Sequence, residues 1–421
     1  MNSVTEMKRF CRSALVLAGS SHGNLGIVRT LGRLGVPVHV MQTRPNSPAS
    51  LSRYCASSFV WDFAAAKEQE TISFLTDVGR RIGPGCLLFP TCENNAILVA
   101  RHYQTLSRWY CYPQQSAELA TSLASKKEMY FLAKTHGVPA PETCFPQTIQ
   151  EVVAFSQTAS FPVVAKGIDG ARLKRALGAG VIIVANQADL LALYARLEES
   201  DYSNLMLQEY IPGGDDCVWM FNAYFNSNSD CLFGITGKKI RQYPAYVGAT
   251  SLGICLPNPV VHETTVKWMK ALGYKGILDI GYRYDARDGQ YKVLDVNPRI
   301  GATFRLFVDR DGMDVARAFY LDFAGQTVPC APAREGRKWI VEDCDIGSSL
   351  RYGKDGKVGF GEWLRSLAGI EEAAYLAIDD MVPFWNMCLR SFHIKIKTRS
   401  ASAGKTSLAA AKGAAVLATD V

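Results

Sequence analysis

A chain of 421 residues, 48% of them hydrophobic, is long enough for two or three domains and rich enough to bury a large core. Its 46 Lys and Arg against 39 Asp and Glu leave a net charge of +7, mildly basic and not concentrated in an obvious DNA-binding element. No apolar run reaches the ~18 residues of a membrane span, the start MNSVTEMKRFCR lacks a signal-peptide core, and none of the 12 cysteines forms a CxxC pair. Nucleic acid and membrane are therefore not expected partners, and scattered thiols suit a reducing cytoplasm.

Residues 13 to 41 open on the buried-type strand SALVLAG, continue through a turn and helix in SSHGNLGIVRTLGRLG, and reach a second strand in VPVHVM. This βαβ pattern predicts a parallel sheet. Gly19, Gly23 and Gly26 approximate a dinucleotide loop, but Gly19 and Gly23 are four apart and no acid closes the second strand at Met41-Gln42-Thr43. NAD is disfavoured; an anion at the helix start remains compatible. A further strand, CLLFPT, leads into a helical pattern in CENNAILVARHY. Glu93 either lines a ligand site at the strand's carboxyl end or simply begins the helix.

The segment 125–143 reads as a helix ended by Gly137 and Pro139, with Ser125 as an N-cap type residue. FPVVAKGIDG is a short buried strand that ends in Lys166, and a buried ammonium needs a partner. Next comes GARLKRALGAG, where three glycines accompany Arg172, Lys174 and Arg175. It reads as a loop able to close over phosphates, or as a plain surface loop. It is not a Walker A motif. LMLQEYIPGGDD is a strand running into a Pro-Gly-Gly turn, and 217–256 alternates as three strands. In a strand, Lys239 and Arg241 share a face. A solvated basic edge is the alternative for Lys238 and Lys239.

Residues 276 to 301 carry the densest pattern, GILDIGYRYDARDGQYKVLDVNPRIG. Two strands joined by a turn at Arg287-Asp288-Gly289 would set Asp279 near Asp295. Asp295, Asn297 and Arg299 alternate, so one face presents a carboxylate, an amide and a guanidinium. The first two are hard oxygen donors that suit Mg²⁺; the third suits a phosphate or carboxylate.

This hairpin, with its acid-x-Asn-Pro-Arg run, resembles the metal-binding end of the ATP-grasp superfamily, whose members join a carboxylic acid to a nucleophile at the expense of ATP. Other motifs follow in the family order over about residues 10 to 330. The resemblance implies Lys126, eleven residues before Gly137, and Lys166 as phosphate-binding lysines. It implies Gln208, Glu209 and Ile211 at the adenine hinge and Asp215 on the ribose, with Asp216 the close competitor. Asp279, Asp295 and Asn297 would hold Mg²⁺, with Mn²⁺ a second candidate. Arg241, Arg299 and Arg305 would face the transferred phosphate, the acylphosphate or the incoming carboxylate. One departure stands out: Gly281 occupies a place where the family has an acid, and Asp279 on the same face is the substitute. Gln208 and Ser125 also replace acids common there.

The fold expected from this resemblance is α/β. A Rossmann-like parallel-sheet domain (1–120) precedes a two-lobed α+β ATP-grasp domain (121–330), a C-terminal extension (331–398) and a flexible tail (399–421). In the extension KWIVEDCD reads as a strand, and GEWLRSL and DDMVPFWNMCL as short helices, with no evident chemistry. The expected activity is an ATP-dependent ligation of small-molecule carboxylate and amine substrates, similar to D-aspartate ligase-like members, with a homodimer as candidate assembly. The alternative is an ATP-binding scaffold that has lost turnover.

Overall fold

In this computed structural model the described residues are 13–18, 22–197 and 203–391. Gly19, the end of the extension from residue 392 and the tail 399–421 lie outside them.

Five strands open the chain: β1 (Ser13–Ala18), β2 (Val38–Gln42), β3 (Cys55–Val60), β4 (Cys86–Pro90) and β5 (Tyr110–Cys111). They form a parallel sheet in the order β3-β2-β1-β4-β5. Ala14 through Leu17 are fully buried, as a strand covered on both faces requires. Helix α1 (His22–Gly32) makes the first crossover and buries Leu25, Ile27, Val28 and Leu31. The strand order reverses between β1 and β4, and the carboxyl end of β4 delivers Glu93 at the start of helix α2 (Glu93–Arg101).

The next four strands are β6 (Thr143–Cys144), β7 (Val163–Gly167), β8 (Val181–Val184) and β9 (Leu205–Glu209), an antiparallel sheet ordered β6-β9-β7-β8. Helix α3 (Lys126–Thr135) precedes it, and its N-cap Ser125 accepts from the Glu128 N–H. The glycine-rich stretch is not a loop. Gly170–Leu177 is helix α4, because Arg, Leu, Lys and Ala are good helix formers, and Leu173 and Leu177 meet the core at i, i+4. Gly178, at φ +84°, ends it.

The remaining strands build one seven-stranded sheet: β10 (Val218–Phe225), β11 (Cys231–Tyr243), β12 (Ala249–Cys255), β13 (Gly276–Asp285), β14 (Gln290–Asn297), β15 (Lys338–Ile340) and β16 (Ile370–Ala373). Its order is β14-β13-β10-β11-β12-β15-β16, with only β15 and β16 parallel. The expected hairpin is β13–β14, which pairs Asp279 with Asn297 and Gly281 with Asp295. After β15 the chain turns into helix α5 (Glu342–Lys354) rather than continuing as strand. Helix α6 (Phe360–Ser366) and a last helix over 382–391 follow.

The extension is fastened to the body by buried ion pairs. Arg29 of α1 donates to Asp380 at 2.9 Å and to the carbonyls of Ala374, Tyr375 and Asp380. One apolar cluster runs from the first sheet through Phe304 and Phe307 to Trp339, Tyr375 and Met387.

Candidate active site

The site forms where the ends of the second and third sheets meet. Lys166 is the last residue but one of β7, and Gln208 lies on the same face of neighbouring β9. The Lys166 Nζ donates to Gln208 Oε1 at 2.8 Å, while Gln208 Nε2 donates to Thr143 Oγ1. Lys126 starts α3 and caps the end of β7, donating to the carbonyls of Gly167 at 2.8 Å and Ile168 at 3.2 Å. Burial depresses both ammonium groups, and the Asp295 carboxylate partly offsets this. Lys166, also repelled by Lys126, falls from 10.5 to about 8.

That value carries a prediction. Gln208 offers Lys166 a hydrogen bond but no charge, so a bound polyphosphate would restore the ammonium. Below about pH 7 Lys166 is already protonated, and binding needs no proton. Between pH 8 and 10.5 the free protein has lost it, so ATP binding at pH 9 is expected to take up nearly one proton. Calorimetry in buffers of different ionisation enthalpy reads this directly. Gln208→Glu should abolish the uptake, and an absence of uptake in the parent chain would remove Lys166 from the phosphate site.

On the third sheet Asp279, Asp295 and Asn297 share one face. Asn297 Nδ2 donates to Asp295 Oδ2 at 3.1 Å, and Asp295 is exposed to the cleft. A Cβ on Gly281 would lie 2.5 Å from Asp295 Oδ1, so a side chain there would displace the carboxylate. A Cβ on Gly301 would likewise meet the Asp279 carboxylate at 2.5–2.8 Å. Two glycines thus make room for two acids. Burial raises the Asp279 pKa, and Arg299 opposes it. Among the described residues no group of three His, Cys, Asp or Glu is placed to hold a metal. Two carboxylates and an amide on one face nevertheless offer the hard oxygen donors that Mg²⁺ takes.

Arg299 bridges the sheets. It donates to Glu93 Oε1 at 2.6 Å and to Asp279 Oδ2 at 3.2 Å. Glu93 therefore both begins α2 and reaches the hairpin. Beside them an apolar cavity is lined by Phe89, Tyr112, Ile277, Pro298 and Arg299.

Lys239 and Arg241 do not share a face. β11 pairs Lys239 with Gly253 and Arg241 with Leu252, so Ile240 is an extra residue in a β-bulge. Lys239 turns to the cleft. Its Nζ donates to Gln242 Oε1 at 3.0 Å and the Gly248 carbonyl at 2.9 Å, within the field of Asp295, Asp279 and Asp215. Arg241 turns away. It makes a two-pronged pair with buried Asp345 of α5, at 2.8 and 2.9 Å, and donates to Ser366. Arg305 is also withdrawn, clamped by Glu372 at 2.8 and 2.7 Å and paired with Asp314. Of the three arginines expected there from sequence, only Arg299 stands with Asp279 and Glu93; Lys239 takes the cleft position instead, because a bulge leaves no mark in residue alternation.

The residues expected at the adenine hinge have partners of their own. Glu209 pairs with Lys292 and Arg287, both at 2.8 Å, and its N–H donates to the Glu142 carbonyl. Arg283 donates to the Ile211 carbonyl at 2.9 Å. Asp215 accepts from Gln242 at 2.9 Å and from the Tyr352 hydroxyl, whereas Asp216 is exposed.

Comparisons with known proteins bear on the fold. No family model matches the chain. It is 24% identical to D-aspartate ligase of Enterococcus faecium over 273 residues, 60% of this chain and 64% of that protein. The chain thus matches less than two thirds of that relative's length. In structure it is similar to the biotin carboxylase domain of Hydrogenobacter thermophilus 2-oxoglutarate carboxylase, solved with MgADP and bicarbonate. That match has a TM-score of 0.58 and 16% identity, over 78% of this chain and 73% of the other. N5-carboxyaminoimidazole ribonucleotide synthetase of Thermus thermophilus gives a TM-score of 0.58 and 14% identity, over 76% and 81%. The chain has the ATP-grasp fold and, within it, resembles carboxylate–amine members such as D-aspartate ligase.

Proposed function

We propose that this chain is an ATP-dependent ligase that activates a small carboxylate as an acylphosphate and joins it to an amine, releasing ADP and phosphate. The observation that carries this reading is the convergence of Lys126, Lys166, Lys239 and Arg299 on the face of Asp279, Asp295 and Asn297. Lys126 and Lys166 hold the α- and β-phosphates. Lys239 faces the phosphoryl group in transfer. Arg299, steadied by Glu93, orients the substrate carboxylate. Gln208, Glu209 and Ile211 border the adenine; exposed Asp216, rather than Asp215 with its carboxylate held by Gln242 and Tyr352, is the ribose ligand. Mg²⁺, held by Asp279, Asp295 and Asn297, would neutralise phosphate charge.

The carboxylate oxygen attacks the γ-phosphorus as its bond to the β-phosphate oxygen breaks. The amine then attacks the acyl carbon, phosphate leaves, and the amine proton goes to solvent. Catalysis is positioning and charge neutralisation. Residues 1–120 are assigned to the acid substrate and 121–330 to ATP, with 331–398 as an extension.

An ADP-release screen over amino acids and small carboxylates tests the reading. Asp295→Asn should lower turnover by on the order of 10²-fold, and Asp279→Asn should raise the Mg²⁺ needed at saturating ATP. If ATP binds, no substrate pair releases ADP, and neither change alters metal dependence, the chain is a nucleotide-binding scaffold instead.

A further inference from the structure

The last described helix, 382–391, is two-faced. Met387 is buried, and Phe384 and Cys388 pack on the main core. The opposite face leaves Val382 56%, Trp385 58% and Leu389 60% exposed, a set spaced i, i+3, i+7. Ile378, 96% exposed, lies just before it. Large apolar side chains gathered on one stripe mark a contact surface.

Charge says what contacts it. Residues 381 to 419 contain six Lys and Arg (Arg390, Lys395, Lys397, Arg399, Lys405 and Lys412) and no Asp or Glu. The remainder of the chain holds 40 Lys and Arg against all 39 acids, so nearly the whole net charge of +7 sits in this one stretch. An apolar stripe carrying a tryptophan, continued by an acid-free basic sequence, has the chemistry of a segment that lies in the headgroup layer of an anionic bilayer. A duplex would use the cations and leave the stripe idle. No helix among the described residues is long and apolar enough to cross a membrane, so the contact is with the surface.

We propose that helix 382–391 and the basic sequence after it dock the protein on anionic phospholipid, with Val382, Trp385 and Leu389 inserted and the cations on the headgroups. The full chain is sedimented with vesicles of phosphatidylcholine alone and of an equimolar phosphatidylcholine–phosphatidylglycerol mixture. Binding to the anionic vesicles is expected to be at least about tenfold stronger and to weaken with salt. Trp385→Glu, at an exposed position, should keep the melting temperature and lose about tenfold in binding. Lys395→Glu with Lys397→Glu should lose both affinity and salt dependence. Equal binding to the two vesicle types overturns the proposal. So does anionic binding that Trp385→Glu leaves intact and duplex DNA competes away, which would assign the cations to nucleic acid. A concentration-dependent dimer that Trp385→Glu dissociates, without lipid binding, would assign the stripe to a second copy.

Discussion

Arg241→Ala is expected to destabilise the protein by about 3–5 kcal/mol, the cost of leaving one partner of a buried ion pair uncompensated. Asp345 is fully buried and also accepts from Ser251 and Trp363, so it cannot move to water when the guanidinium is removed. The double change Arg241→Met with Asp345→Leu should recover much of the loss, because it removes both charges together. Denaturant melting of the three chains checks this. An unchanged midpoint in Arg241→Ala, with turnover alone reduced, would return Arg241 to the cleft.

The neighbouring change should behave oppositely. Lys239→Met is expected to cut turnover by roughly 10²–10³-fold while weakening ATP binding far less, since its charge matters most as phosphoryl oxygens gain charge in transfer. Its stability should hold, because its partners are a side-chain amide and a carbonyl rather than a buried acid. Pre-steady-state ADP release beside equilibrium nucleotide binding separates the two effects. Equal losses in both would make Lys239 a ground-state phosphate ligand.

This contrast shows where the sequence was readable. The βαβ opening, the lysine strand and the β13–β14 hairpin were legible because each rests on local periodicity and turn residues. Asp279, Asp295, Asn297 and Arg299 fall together for the same reason. The bulge at Ile240 was not legible, since alternation continues through it in the letters while the register slips. Helix α4 has the composition of a loop in its flanking glycines, and only the Leu173–Leu177 pair marks it as a helix. The commitments of Arg241 and Arg305 depend on Asp345 and Glu372, 104 and 67 residues away, and no local pattern reports such pairings.

The buried pair between Arg29 and Asp380 spans 351 residues. During synthesis the first sheet emerges long before that acid exists. At ordinary elongation rates Arg29 waits roughly 20–70 s for its partner. Through that interval α1 carries a cation destined for burial with nothing to neutralise it, and Arg305 likewise awaits Glu372. Until residues 374–380 arrive, the face of α1 that carries Arg29 lacks the segment that covers it and is open to water. A ribosome-arrested chain ending near residue 375 should remain protease-sensitive within residues 22–60, and one extended past 391 and clear of the exit tunnel should not. Release of the carboxyl-terminal segment is thus the step that completes folding at the amino-terminal end.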